Sequence, residues 1–296
     1  MGTPASGQSF TLPTELGYCN PMAQKPVASP LTLELEPVVA DLYKRHVEAA
    51  EFWYAHDYVP FDVGENFAFL GGRDWDPADV TLPTHITDAL EILLITKDNL
   101  AGYHRELVEH FILEPAWGDW IGRWTAEENL HAIALREYLV VTREVDPVAN
   151  EHVRVEHVMK GYRADHHTEV ETLVFMALSE RAHAVLCRRL AAQIEDPVLR
   201  GLVECIASDE ESHEEFFAEL VRACLRIVPD ETIAAIVARA AELQVVGADI
   251  DAYRDKVKNV AAAGIFGEDQ LREVISGRIS ELNLAELPEL SGFVLG

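Results

Sequence analysis

The sequence predicts an all-α protein built around a helix bundle, and two observations support this. Apolar residues recur three and four positions apart through most of the chain after Leu31, which is the period of one helix face. No segment shows the strict alternation or the short glycine turns of a β-hairpin. Because each helix then has one apolar stripe to bury, helices packed against one another are the simplest architecture.

The predicted helices follow one another in a single domain, residues 31–296, after an extended arm at residues 1–30 that contains five prolines. A first helix begins near Leu31, and a long loop rich in Gly, Pro and Asp follows it. Asp-Pro steps place proline in the first turn of two later helices. The helical patterns after the loop cover residues 84–111, 119–143, 147–163, 166–194, 197–226 and 230–263.

Composition excludes several classes of protein. The net charge of −27 argues against nucleic-acid binding, because phosphate recognition needs clustered Lys and Arg. No apolar run is long enough for a membrane span, and the N-terminal residues lack the basic and apolar regions of a signal peptide. The four cysteines are far apart with no CxxC pair, which suits reduced thiols. We therefore expect a cytoplasmic protein.

Two segments, TAEENLH and ASDEESH, each place a glutamate three residues ahead of a histidine. Positions i and i+3 share one face of a helix, so Glu128 with His131, and Glu210 with His213, can each bind one ion from two sides. A single pair of this kind is weak support for a metal site. The prediction of a metal site therefore depends on the spacing of these pairs from other acids in the chain.

An acid stands thirty residues before each pair: Asp98 before Glu128, and Glu180 before Glu210. Thirty residues suffice for one helix, a turn and the return along an antiparallel neighbour, so the two positions reach a similar height. A four-helix bundle with a pseudo-twofold axis then gathers four carboxylates and two imidazoles, a set suited to two iron or manganese ions. The alternative is that these acids face solvent, but they lie within apolar stripes, where an unpaired carboxylate is costly to bury.

Four segments resemble, in order and spacing, motifs of the soluble acyl-acyl carrier protein desaturases (stearoyl-acyl carrier protein type). These are LPTHITDALEILLITKDN, WTAEENLHA, SERA and DEESHEE, and KDNLAGYHREL is similar to the shorter actinobacterial, mycobacterial-like members. The resemblance covers roughly residues 31–225. It implies a ferritin-like four-helix bundle with additional flanking helices, and a metal-binding core at about residues 83–226.

The resemblance also implies the roles of individual residues. It places an acid at Asp209 that holds a ligating imidazole in one tautomer. Asp98 stands where the family has a glutamate ligand, and is expected as a sixth ligand with a shorter arm. His183 stands where the family has threonine, and is expected as a further ligand, a proton donor or a histidine of the core. The implied metal ligands are Glu128, His131, Glu180, Glu210 and His213.

The function implied by the resemblance is that of an oxidoreductase. It would introduce a double bond into a fatty acyl chain on acyl carrier protein, at a centre of two iron ions, with O₂ and electrons from a ferredoxin. Manganese is the alternative metal, and a homodimer is the implied assembly. A family tryptophan associated with electron entry falls at His46, with Trp53 as the alternative.

Two other hypotheses stay open at the level of sequence. A desaturase-like bundle without turnover could act as a metal-binding or regulatory protein, which the departures at Asp98 and His183 suggest. An iron-storage or radical-forming subunit is the other hypothesis. It is disfavoured because storage needs a cage, and because no tyrosine lies within one helical turn of the predicted glutamate ligands.

Overall fold

The computed structural model describes residues 27–111, 114–162, 164 and 167–295. Within these residues the regular structure consists of α-helices joined by loops and short 3-10 turns, without a β-strand. Most of the predicted arm, residues 1–26, lies outside the described residues. The helices are α1 Pro30–Ala49, α2 Thr84–Asp98, α3 Leu100–Phe111, α4 Pro115–Val141, α5 Pro147–Lys160, α6 Glu169–Ala191, α7 Pro197–Ile227, α8 Pro229–Glu242, α9 Arg254–Ala262 and α10 Glu268–Glu281.

Helices α2, α4, α6 and α7 form the central bundle. The α6–α7 pair has the most extensive contact, α2 packs on α4, and α1 lies across both α4 and α7. Outside the bundle, α9 covers α2, and α8 and α10 cover α6. The apolar side chains of all these helices form one buried cluster. The predicted all-α bundle with flanking helices is therefore confirmed, and none of the described helices has the length and apolarity to cross a membrane.

Two predicted helices are each interrupted in the structure. The helix expected at 84–111 breaks at Asn99, whose backbone N–H turns back to the carbonyl of Thr96. This break redirects the chain so that α3 packs on α4 and α6. The helix expected at 230–263 ends at Glu242, and Gly247 follows with φ +85°. A Cβ at Gly247 would lie 2.5 Å from a methyl carbon of Ile92, so only glycine fits this turn against α2.

A buried carboxylate at the end of α4 binds the last residues of the loop that precedes α2. Glu144, just beyond the end of α4, accepts hydrogen bonds from the backbone N–H groups of Thr81 and Leu82 at 3.0 Å and from the Thr81 hydroxyl at 2.5 Å. Pro83, at the start of α2, has no side chain that could cap the helix. Glu144 therefore fixes where α2 enters the bundle.

Replacing Glu144 with alanine should lower the free energy of unfolding by about 2–3 kcal/mol, because hydrogen bonds to a charged acceptor are lost and buried donors stay unpaired. Urea denaturation followed by circular dichroism measures this. Glu195→Ala, which removes an exposed carboxylate before α7, is the matched control and should change little. Equal stability of the two variants would contradict the role assigned to Glu144.

Candidate metal centre

Acidic and imidazole side chains of three bundle helices meet in the interior. α4 contributes Glu128 and His131, α6 contributes Glu180, and α7 contributes Glu210 and His213. All five side chains are at least 96% buried. One ligand atom from each of Glu128, Glu180, Glu210 and His213 lies within 4.8 Å of the others. We call Glu128, His131, Glu180, Glu210 and His213 the central cluster.

The two imidazoles turn the same nitrogen inward. Nδ1 of His131 lies 3.0 Å from Oε1 of Glu210, and Nδ1 of His213 lies 3.2 Å from Oε1 of Glu128. Each histidine thus approaches the glutamate of the other helix pair, although it shares its own helix face with the glutamate three residues before it. The α4 and α7 pairs therefore interlock across the bundle axis.

The opposite nitrogen of each imidazole meets an acid. Nε2 of His131 lies 3.0 Å from Asp209, and Nε2 of His213 lies 2.9 Å from Glu127. When the imidazole is neutral, an acid at this place keeps the proton on Nε2 and leaves the Nδ1 lone pair directed into the cluster. Asp209 lies where the sequence predicted it. Glu127, which directly precedes Glu128 in the chain, has the same geometry on the other side of the cluster.

Asp209 and Glu127, the two acids that contact Nε2 of the imidazoles, have different further partners. Asp209 accepts a hydrogen bond from the indole N–H of Trp53 at 2.8 Å, and the Trp53 ring lies parallel to that of His131 with centroids 6.1 Å apart. Glu127 instead lies 3.0 Å from Nε2 of His46. Of the two positions considered for the tryptophan, Trp53 is thus the one joined to the cluster through an indole.

The predicted ligand Asp98 does not reach the cluster. Its carboxylate turns away and pairs with the guanidinium of Arg136 on α4. Lys97 points inward instead, with Nζ 2.8 Å from Oε2 of Glu128 and 2.5 Å from Oε1 of Glu210. Consecutive helical residues point about 100° apart, so only one of positions 97 and 98 can face the centre. The thirty-residue repeat missed the inward position by one residue.

The charges of the cluster compensate one another. Burial by itself would lower the pKa of the Lys97 ammonium, but the carboxylates of Glu128 and Glu210 outweigh burial and raise it above its ordinary value. Burial would raise the pKa of Glu210, and Lys97 and His131 outweigh it and hold the pKa well below its usual range. For Glu180 burial prevails, and its pKa is raised.

The imidazoles carry positive charge in the same way. Burial would lower the pKa of His213, but hydrogen bonds to Glu127 and Glu128 raise it to about 10. His131 has a pKa well above its ordinary value, because Asp209 and Glu128 outweigh burial. Protons and the Lys97 ammonium thus balance the buried carboxylates.

Several polar atoms of the cluster are buried without hydrogen-bond partners, and this tests whether a metal ion fits. They are Oε2 of Glu180, both carboxylate oxygens of Glu210 and Nδ1 of His131, which lack well-aligned hydrogen bonds although Lys97 and His131 form close ion pairs with Oε1 of Glu210. Unpaired buried groups of this kind are costly, and a coordinated cation satisfies them. Carboxylate oxygens combined with imidazole nitrogens suit iron or manganese. The residues therefore fit a divalent cation, although the Lys97 ammonium already serves two of the three carboxylates.

A cavity of about 270 Å³ adjoins the cluster on the side of α2, α3 and α6. Exposed residues such as Glu242 line its outer part, and a narrower pocket continues inward to Lys97, Glu128 and Glu180. His183 lines both spaces, with Nδ1 3.4 Å from Nζ of Lys97 and 3.5 Å from Oε2 of Glu210. His183 therefore lies between the cavity and the cluster.

Tyr103 was missed by sequence reasoning. It lies on α3 and lines the same inner pocket as Glu128 and Glu180. The search for a tyrosine within one helical turn of the ligands was too local, because α3 approaches the cluster from another part of the chain. The only sequence signal was its position shortly after the motif that ends α2.

Comparison with known proteins identifies the family. The sequence profile described as fatty acid desaturase matches residues 29–294. DesA2 of Mycobacterium tuberculosis, provisionally named an acyl-[acyl-carrier-protein] desaturase, is 71% identical over 93% of this chain and all of its own length. DesA1 of the same organism, named in the same way, is 34% identical over 88% of this chain and 79% of its own.

A plant relative and a solved structure agree with this result. The chloroplastic stearoyl-[acyl-carrier-protein] 9-desaturase 6 of Arabidopsis thaliana is 29% identical over 60% of this chain and 49% of its own. The X-ray structure of DesA2 superposes with a TM-score of 0.80 and 62% identity, over 90% of this chain and all of that one. The fold is thus the ferritin-like helical fold of the desaturases. The chain belongs to the fatty acid desaturase family, and its relatives include the mycobacterial acyl-carrier-protein desaturases.

Proposed function

We propose that this protein is an acyl-[acyl-carrier-protein] desaturase that removes two hydrogens from adjacent carbons of a carrier-bound acyl chain. The main support is the cluster of three carboxylates and two imidazoles directly beside a cavity that extends to exposed residues. An unactivated chain offers no polar handle near the reacting carbons, so a fixed cavity beside the oxidising centre has to select them.

The central cluster would hold the metal ions, which we propose to be iron, with manganese as the alternative. Bound iron supplies the reaction of O₂ and the oxidation of the chain. The protein holds the donors in place. Trp124 donates to Oε1 of Glu180 at 3.0 Å, while Asp209 and Glu127 fix the two imidazoles. His183 and Tyr103 line the boundary between the cavity and the inner pocket, and we propose His183 as the group that can exchange protons there.

The remaining partners are proposed from the family and from one feature of the site. The contact of Trp53 with both Asp209 and His131 supports this side as the entry for electrons from a ferredoxin-type donor. The homodimer rests on the family resemblance, and the cytoplasmic location rests on the widely spaced cysteines, which suit reduced thiols. The alternative of a metal-binding or regulatory protein without turnover receives no support from the names of the relatives, which are desaturases.

Desaturation is tested directly with purified, iron-reconstituted protein, ferredoxin, ferredoxin reductase, O₂ and stearoyl- or palmitoyl-acyl carrier protein. We expect a mono-unsaturated product, detected by mass spectrometry of the released acyl chain. The His213→Ala variant should form none, because one imidazole of the cluster is lost. A wild-type protein that binds iron but forms no product with any chain length would favour the non-catalytic alternative.

Metal binding is tested separately with Glu210→Ala. Glu210 is fully buried among Lys97, His131 and His183, so its loss should reduce bound iron to below a tenth of the wild-type amount, as measured by inductively coupled plasma mass spectrometry. The matched control is Glu211→Ala on the same helix, whose exposed carboxylate pairs with Arg188. Wild-type iron content in Glu210→Ala with a retained helical spectrum would remove Glu210 from the ligand set.

The position of Lys97 leads to a further expectation for metal content. Lys97→Glu replaces an inward ammonium with a carboxylate and should increase the iron bound per chain. Lys97→Met removes the charge without adding a ligand and is the matched control. Asp98→Glu should leave iron content unchanged, because this position faces Arg136. An increase with Asp98→Glu and none with Lys97→Glu would show that α2 is rotated from the orientation described above.

A further inference from the structure

Four polar side chains line the place where the cavity meets the narrower pocket beside the central cluster. They come from α2, α3 and α6, and each belongs to the lining of both spaces. They are Thr96, Tyr103, Ser179 and His183. We call them the inner ring. Any chain that passes from the cavity toward the cluster has to pass these groups.

Three hydroxyls of the inner ring have no hydrogen-bond partner in the described part of the chain. Thr96 is 7% exposed, and its buried hydroxyl is unpaired. The hydroxyls of Tyr103 and Ser179 also form no hydrogen bond there, although the Tyr103 ring packs on Tyr162 with centroids 4.8 Å apart. Polar groups that line a cavity and have no hydrogen-bond partner within the protein are available to bind a ligand.

Several other hydroxyls in the helices or at their ends pair with their own backbone. Thr142 and Thr232 donate to the carbonyl four residues before them at 2.8 Å, and Ser208 and Ser212 do so at 3.1 and 3.0 Å. This local bond is the usual outcome for serine and threonine in a helix. Thr96 and Ser179 do not form it. Thr87 is buried and unpaired as well, but it does not line the cavity.

The inner ring disfavours the binding of an unsubstituted hydrocarbon chain. A methylene group placed beside these hydroxyls would displace water and leave the hydroxyls without partners. An oxygen atom on the chain would satisfy them, and sites built to hydrogen-bond a ligand oxygen discriminate strongly against the analogue that lacks it. A carboxylate is disfavoured at this place, because Glu128 and Glu180 line the same pocket and its one ammonium, that of Lys97, is already paired with Glu128 and Glu210. A neutral hydroxyl or carbonyl remains.

Resting on the proposed desaturase function, we propose that the preferred substrates are acyl chains that carry a neutral oxygen function where they pass Thr96, Tyr103 and Ser179. The substrate class is then hydroxyacyl or oxoacyl chains on the carrier. The rest of the cavity suits hydrocarbon, since Phe175, Ala182 and Val245 line it beyond the inner ring.

Binding measurements test this without requiring turnover. The probes are stearoyl-acyl carrier protein and a panel of hydroxystearoyl- and oxostearoyl-acyl carrier proteins with the oxygen at successive carbons. Dissociation constants are measured on the full chain by surface plasmon resonance. We expect at least one oxygenated isomer to bind ten or more times more tightly than stearoyl-acyl carrier protein, with weaker preference as the oxygen moves away from that carbon.

Variants test whether the inner ring causes the preference for an oxygenated acyl chain. The combined Thr96→Val, Tyr103→Phe and Ser179→Ala variant should lose it and should bind the stearoyl probe at least as tightly as the wild type. Thr142→Val, which removes a hydroxyl already paired within its helix, is the matched control and should retain it. If the combined variant folds poorly, Tyr103→Phe alone should reduce the preference by threefold or more.

The outcomes separate this proposal from the function on which it rests. Equal affinity for all probes would overturn the oxygenated substrate class, because the inner ring would then hold only water, and would leave desaturation of plain chains intact. A preference that survives in the combined variant would also overturn it. Failure to bind any acyl carrier protein probe would contradict the proposed function itself.

Discussion

The burial of three carboxylates at the centre of the bundle is the constraint on which the rest of the site depends. Glu128, Glu180 and Glu210 are each at least 96% buried. Taking a single carboxylate out of water costs on the order of several kcal/mol, so uncompensated acids would not stay in this core. The imidazoles of α4 and α7, the Lys97 ammonium and any bound metal ion are the compensating charges. The apolar packing of four helices makes the arrangement rigid.

Charge compensation extends to the acids next to the imidazoles, and at these acids the two halves of the bundle differ. Each imidazole of the cluster meets an acid, but Asp209 leads to the indole of Trp53 while Glu127 leads to His46. The pseudo-twofold arrangement therefore holds for the two Glu-x-x-His pairs and not for their surroundings. An indole stacked on the His131 imidazole and an imidazole joined to His213 through a carboxylate differ in redox and proton chemistry. This difference supports the proposed entry of electrons on the Trp53 side.

The break between α2 and α3 shapes the side of the cluster that faces the cavity. Because α2 ends at Asp98 and the chain turns at Asn99, Thr96 and Lys97 come from one helix and Tyr103 from the next, yet all three line the inner pocket. His183 and Ser179 of α6 close the same pocket. One irregularity in an otherwise regular bundle thus places a cation and several hydroxyls between the cavity and the carboxylates.

The sequence by itself determined the all-α architecture and the two Glu-x-x-His pairs, because helical period and i, i+3 spacing are local properties of the chain. The role expected for Asp209 came from the resemblance to the desaturase motifs. Only the tertiary structure decided between Asp98 and Lys97, gave Glu127 its role, and brought Tyr103 to the cluster. These depend on the rotation of one helix against another, where a shift of a single residue turns a side chain by about 100° and exchanges an inward group for an outward one.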